Sequence, residues 1–260
     1  MAYVNKNSVE IWRGPSRIDG RPIVVIASGY TTKPKKANGK TGNMLQTYIL
    51  LQDVDPIRAV DDGLDVSICG GCVHRKDEET GKRSCYVDLG KGPLSVWGSW
   101  MRGNIRAVSP MRASEMATGR AVRLGTYGDP AAVPAHVWRE LLTYASKWTG
   151  YTHQAASPKF QDVLEWCQVS ADLVGDAIAA RRAGVGSFRV LVPGEEPQPW
   201  EEMCPSLQGV KCEDCGACSG FTGRHIVNPV HGIGARNFDP ARIRRRALSL
   251  PVLNPARAMA

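Results

Sequence analysis

No stretch of this 260-residue chain approaches the roughly 18 consecutive apolar residues of a membrane-spanning helix. The longest strongly apolar run, Pro22–Ala27, has the length of a strand. The opening residues, Met-Ala-Tyr-Val-Asn-Lys, lack the apolar centre of a signal peptide. These absences predict no membrane partner and a cytoplasmic protein in a reducing compartment. No Ser-His-Asp order, Walker phosphate loop or paired zincin histidines is present. No groove-reading zinc-finger helix is visible either, which argues against sequence-specific DNA reading. No internal repeat is seen.

What is present starts with a hydrophobic content of 43%, enough for a sizeable core, and eight cysteines. In a reducing compartment, clustered cysteines serve metals or catalysis more often than disulfides. The net charge of +8 points either to an anionic partner, nucleic acid or a nucleotide first, or simply to a basic surface.

Pro22–Ser28 and Met44–Gln52 have the β-branched and apolar content of strands. The loop between them, Thr31–Asn43, carries Lys33, Lys35, Lys36 and Lys40 among Gly, Pro and Asn. Leu64–Ile68 reads as a short strand ending at Cys69, and Ser95–Arg102 as a helix. Ala121–Leu124 reads as a strand followed at once by a turn, Gly125–Pro130. Pro134–Lys147 predicts a helix with proline in its first turn. Further strands are expected at Gly150–His153, Cys167–Ser170, Ser187–Val192 and Ile226–Val230, with helices at Phe160–Glu165 and Ala171–Ala183. Roughly six βα-like units between Leu64 and His231 argue for an α/β fold with a parallel sheet, open or closed. The chain thus divides into a β-hairpin lead-in with a basic loop (1–63), a (β/α) body with the cysteines (64–236) and a basic tail (237–260). The tail carries Arg242, Arg244, Arg245 and Arg246 and reads as loop, punctuated by Pro240, Pro251 and Pro255. It would serve as a nucleic-acid contact or a strap. Glu195–Glu196 and Glu201–Glu202, in proline-rich sequence, read as solvated.

The cysteines fall into two groups. Cys212, Cys215 and Cys218 form C-x2-C-x2-C, and Cys204 precedes the first with seven residues between, directly ahead of Pro205. Four such thiolates suit a 4Fe–4S cube or a zinc tetrahedron. The triple with a remote Cys-Pro resembles the bacterial ferredoxin run, which favours the cube. Cys69, Cys72 and Cys85 form C-x2-C-x12-C. Three cysteines hold a cube with one iron left open, or, with His74, a zinc of the Cys3His type. Cys167 stands alone and reads as a buried hydrophobe.

On these residues the chain resembles the radical S-adenosylmethionine (SAM) superfamily, and it is similar to small radical-SAM-like iron–sulfur proteins of phages and plasmids. The resemblance implies a partial (β/α)6 barrel with the cluster cysteines Cys69, Cys72 and Cys85 after its first strand and Tyr86 beside the last. The family's usual spacing is C-x3-C-x2-C. A glycine-rich turn after strand two would hold the SAM amino group; Gly125, Tyr127, Gly128 and Asp129 occupy that place, Asp129 as acceptor. Cys204, Cys212, Cys215 and Cys218 would hold an auxiliary cluster near the C-terminal end of the barrel.

Two functions follow as expectations. The first is a radical-SAM-like enzyme acting on a nucleic-acid or nucleotide substrate in the host cytoplasm, with one or two 4Fe–4S clusters and SAM. Trp97, Trp100, Tyr127, Tyr151 and His153 are its candidates for stacking a base. The second is a non-catalytic nucleic-acid-binding protein stapled by zinc or clusters.

Overall fold

The structure is a computed structural model that describes residues 5–31, 38–220, 222–251 and 253. Lys33, Lys35 and Lys36 of the basic loop, and Pro255 of the tail, lie outside the described residues.

Apolar, β-branched sequence builds the first strands. β1 (Ser8–Pro15) pairs antiparallel with β2 (Pro22–Ser28), and β2 pairs antiparallel with β3 (Leu45–Leu51). Ile23, Val24, Val25, Ile26 and Ala27 are buried without a break, so β2 is covered on both faces. β4 (Arg106–Ala107), β5 (Val122–Tyr127) and β6 (Trp148–Thr149) complete a six-stranded sheet in the order β4-β1-β2-β3-β5-β6. A second, five-stranded sheet is formed by β7 (Tyr151–Thr152), β8 (Gln168–Ala171), β9 (Ser187–Leu191), β10 (Glu202–Met203) and β11 (His225–Pro229), in the order β10-β11-β9-β8-β7. Apart from β1–β2 and β2–β3, every pairing of these named strands is parallel. The fold is mixed α/β with two mostly parallel sheets, and neither sheet is closed.

Helices cover the parallel strands. α1 (Pro56–Asp61) starts at Asp55, whose carboxylate accepts the Ile57 and Arg58 N–H groups. α2 (Val66–Cys69), α3 (Gly92–Met101), α4 (Pro110–Glu115), α5 (Ala135–Leu141), α6 (Val174–Arg182), α7 (Cys212–Cys215) and α8 (Pro240–Leu248) follow in chain order. The main core gathers the apolar faces of β1, β2, β3 and β5 with Trp138, Leu141 and Val163.

Several sequence expectations are corrected. Leu64–Ile68 is not a strand: Gly63 turns the chain into α2, where the Cys69 N–H donates to the Asp65 carbonyl at 2.9 Å. The alternation Leu-Asp-Val-Ser-Ile spans only five residues, too few to separate a strand from a helical turn. The strand ahead of the first cysteines is β3. β5 runs on through Gly125 to Tyr127, because the Gly125 N–H finds the Thr47 hydroxyl at 2.9 Å, so the turn begins only at Gly128. α5 stops at Leu141, well short of Lys147. The tail is not loop: the Asp239 carboxylate caps α8, with Pro240 at its first position. β1 had no sequence expectation.

Gly150 lies between β6 and β7 and so joins the two sheets. Its carbonyl accepts from Gln168 N–H at 2.9 Å while its own N–H donates to the Cys218 carbonyl at 3.1 Å. A Cβ here would stand 2.6 Å from Cys167 Sγ and 3.3 Å from Leu124 Cβ, both in the packed core. Gly150→Ala is expected to cost about 1–3 kcal/mol through overpacking, read as a lower denaturation midpoint. Adding Cys167→Ala should recover part of the loss; an undiminished loss in the double variant would show that Cys167 is not what requires glycine.

Candidate metal centres in a shared cavity

Side chains alternate across a strand, and one face of the parallel strands lines a single cavity of about 390 Å³. Arg123, Gly125 and Tyr127 reach it from β5, Thr149 and Tyr151 from β6 and β7, and Phe188 and Val190 from β9. His153 and Asp172, the first residue beyond β7 and β8 respectively, continue the same faces. Seven of the eight cysteines line this cavity too; Cys167 is buried in the main core instead.

The N-terminal group is built by one short helix and one pinned loop. Cys69 ends α2, the Cys72 N–H donates to the Cys69 carbonyl at 3.2 Å, and the Cys85 N–H returns to the His74 carbonyl at 3.1 Å. The loop between is held from below by Arg75, whose Nε and Nη2 both donate to Asp65 Oδ1 at 2.9 and 2.7 Å. From outside, α8 straps it. Arg242, 2% exposed, donates to the Lys82 and Asn237 carbonyls at 2.7 and 3.0 Å. Arg246 donates to the Arg75 carbonyl, and Ile243 and Ala247 pack on Val73. Arg245 pairs with Glu79. Most of the tail's arginines are thus committed within the chain. Burial raises the Cys69 thiol well above its ordinary value, with the Asp65 charge adding to it, and burial also raises Cys85.

The C-terminal group touches the starting ends of the strands. The Cys212 N–H donates to the carbonyl of Lys40, ahead of β3, and the Cys218 carbonyl accepts from Gly150. Gln168, the first residue of β8, donates through its side chain to the Ala217 carbonyl at 3.2 Å. Cys204 follows β10, and its N–H donates to the Val227 carbonyl at 2.8 Å. Burial raises Cys212 and pushes Cys218 up to about 12. Bare thiols so raised are poor nucleophiles at neutral pH, whereas a metal takes the thiolate by displacing the proton.

The segment that delivers Cys204 hangs on a buried ion pair. Arg189 Nε and Nη2 donate to Glu201 Oε1 and Oε2 at 2.8 and 2.6 Å, and Nη1 to Glu195 at 2.5 Å. The Glu201 side chain is fully covered, which corrects the expectation that it is solvated.

Arg123 stands between the two groups. Its Nη2 donates to Tyr86 Oη at 2.5 Å, next to Cys85, and its guanidinium lies 5.9 Å from the Tyr151 ring centroid. Tyr151 in turn packs against the cluster that holds Cys204 and Cys218. Among the described residues no carboxylate pairs with Arg123. Lys40 Nζ lies 3.0 Å from His231 Nε2, also at the cavity. Four polar atoms of cavity residues are buried without a protein partner: Arg123 Nε, Tyr127 Oη, Thr149 Oγ1 and His153 Nε2. Such atoms call for a ligand, ion or water.

The glycine-rich segment is at the cavity, with distinct roles. Gly125 adopts φ +60°, and a Cβ there would lie 2.5 Å from the Gly128 carbonyl. Asp129 is occupied: Oδ1 accepts from Ala131 N–H at 2.9 Å, and Oδ2 from His153 N–H at 2.8 Å and Gln154 Nε2 at 3.3 Å. Trp97 and Trp100 bond Leu51 and Glu10 and belong to the main core, not the cavity. Sequence reasoning passed over Arg123, Asp172 and His231; the only available signal was position, at a strand's inward register or just past its end.

Comparison with protein-family models, curated proteins and solved structures finds no match to this chain.

Two predictions follow from the way the cysteine loops are held. Arg242→Ala should destabilise the chain by about 2 kcal/mol and raise amide exchange selectively in residues 73–85; uniform exchange across the chain would show that α8 does not strap that loop. For Glu201, burial favours the neutral acid, but the Arg189 hydrogen bonds and charge outweigh it and hold the carboxyl below its ordinary value of 4.5. The pair's stabilisation is therefore complete above about pH 4.5 and is lost as pH falls through the lower folded value. Glu201→Gln is expected to cost about 3 kcal/mol at pH 7, with the deficit shrinking below pH 4.5. A deficit of equal size at pH 7 and pH 3 would assign the loss to packing instead.

Proposed function

We propose that this chain is an iron–sulfur enzyme of the radical SAM kind, acting on a small anionic substrate of the nucleotide class. The observation that carries it is the convergence of seven cysteines, in groups of three and four, on one cavity. Three thiolates leave one iron of a cube open, and four close a second cube. The parallel run β3, β5, β6–β7, β8, β9 and β11, taken in chain order, supports a partial (β/α)6 barrel. The N-terminal cysteines stand at its carboxyl-end side, where such folds place their chemistry.

Sulfur spacing favours clusters over zinc. Thiolates about 2.3 Å from one zinc stand roughly 3.8 Å apart. The described residues bring one set of three His, Cys, Asp or Glu ligand atoms within 4.8 Å of one another, and it contains no cysteine. A cube takes one thiolate per iron and holds its thiolates wider.

A cluster held by Cys69, Cys72 and Cys85 would supply one-electron reducing chemistry toward the sulfonium of SAM. The chain's own residues do the rest. Arg123 and Lys40 offer positive charge to a phosphate, Tyr86, Tyr151 and Phe188 offer flat surface to a base, and α8 keeps the cysteine loop shut against water. The commitment of Arg242, Arg245 and Arg246 within the chain favours a nucleotide over a nucleic-acid polymer.

Protein purified without oxygen is expected to hold about two 4Fe–4S cubes and to cleave SAM when reduced. Cys69→Ser or Cys72→Ser should abolish cleavage and remove one cube's iron; Cys212→Ser should remove the other's. Two zinc ions per chain without sulfide would overturn this function and leave a zinc-stapled nucleic-acid-binding protein.

A further inference from the structure

His74, His153 and Asp172 face the cavity beside Cys72, outside both cysteine groups. Their ligand atoms lie within 4.8 Å of one another. His74 Nε2 and His153 Nε2 each stand 3.4 Å from the same oxygen, Asp172 Oδ1. That is long for a charge-assisted hydrogen bond, which closes to about 2.7–2.9 Å. It is the edge of a coordination tetrahedron with bonds of about 2.1 Å.

The surroundings fit a ligand set. His153 Nε2 is buried and, with Asp172 Oδ1 at 3.4 Å, has no partner within hydrogen-bond distance. The other ring nitrogen of His74, Nδ1, is fixed by the buried Ser84 hydroxyl at 3.0 Å, as outer partners orient metal-bound histidines. The backbones are equally fixed. The His153 N–H donates to Asp129 Oδ2 at 2.8 Å, and the Asp172 N–H to Asp176 Oδ2 at 3.2 Å. Cys72 lines the same cavity, so this site borders the N-terminal cysteine group.

We propose that His74, His153 and Asp172 form a mononuclear site for a divalent first-row transition metal. Two imidazoles and one carboxylate on one side of an ion leave its remaining positions open, here toward the cavity. An oxygen donor from a substrate phosphate or carboxylate would complete the shell. The site does not depend on the iron–sulfur function, since it uses none of the seven cysteines.

Mn(II) is the probe, because it prefers nitrogen and oxygen donors and binds thiolates poorly. Full-length protein, purified without oxygen and dialysed against EDTA, is titrated with Mn(II), and the free ion is followed by electron paramagnetic resonance. One tight Mn(II) per chain is expected in the parent and in Cys69→Ser/Cys85→Ser. Asp172→Asn and His153→Gln should each bind at least about tenfold more weakly. Thermal melts matching the parent's show that these variants are folded, and His74→Gln replaces either one that is not. Mn(II) binding by the parent no tighter than by Asp172→Asn overturns the proposal, as does unchanged binding in all three variants. Iron and sulfide measured on the same samples report the cluster function separately, so either can fail alone.

Discussion

A row of parallel strands turned toward a cavity depends on what fills that cavity. In most α/β folds apolar side chains meet across such a face and complete a core. Here the inward positions carry Arg123, Tyr127, Thr149, Tyr151 and His153, and the opposing loops bring sulfur. Four of those five residues keep a buried polar atom with no protein partner. The protein chain by itself therefore leaves this interior electrostatically incomplete, while the main core behind β2 and β3 is packed and apolar. Folding free energy comes from the second; the first has the polar lining that the proposed cofactors would complete.

That division explains where the buried ion pairs sit. Arg75–Asp65, Arg189–Glu201 and the Arg242 carbonyl clamp all hold the segments that deliver cysteines. Buried pairs stabilise little compared with apolar packing, because both charges lose water, but breaking one is costly. They suit loops that must hold one geometry without an apolar core of their own. Arg75 and Arg189 are neutralised by Asp65 and Glu201 and leave the net charge of +8 unchanged, whereas Arg242, buried against carbonyls, is one positive charge withdrawn from the surface offered to a polyanion.

Legibility in the sequence tracked the strength of local constraint. The grouping of seven cysteines, which meet at one cavity, was plain because cysteine spacing is visible whatever surrounds it. β2 and β3 were plain because strands buried within a sheet admit little but branched apolar residues. Leu64–Ile68 misled because its apolar–polar alternation is only five residues long, and α2 forms around the Asp65 backbone instead. The tail helix was missed although Asp239-Pro240 is a start signal, because arginine density was weighed over capping. Arg123 and Asp172 were invisible for a different reason. Neither has a local signature, and each acquires its place only when β5 of one sheet and β8 of the other both bring residues to the cavity. Glu201 was misjudged because its partner, Arg189, lies twelve residues away on a strand.

The charges around the cavity give a last step. Burial favours the neutral forms of Cys69, Cys85, Cys212 and Cys218, so replacing their protons by metal places net negative charge in a dry site. Such a site needs fixed positive charge nearby, or the metal would be lost to water. Arg123 and Lys40 are the cations in place, and the described residues give Arg123 no carboxylate to neutralise it. Arg123 also donates to Tyr86 beside one cysteine group and lies over the ring of Tyr151, which packs against the other. With metal in both groups, as proposed, one guanidinium would offset both, which would account for an arginine at an inward strand position that a core would reserve for an apolar side chain.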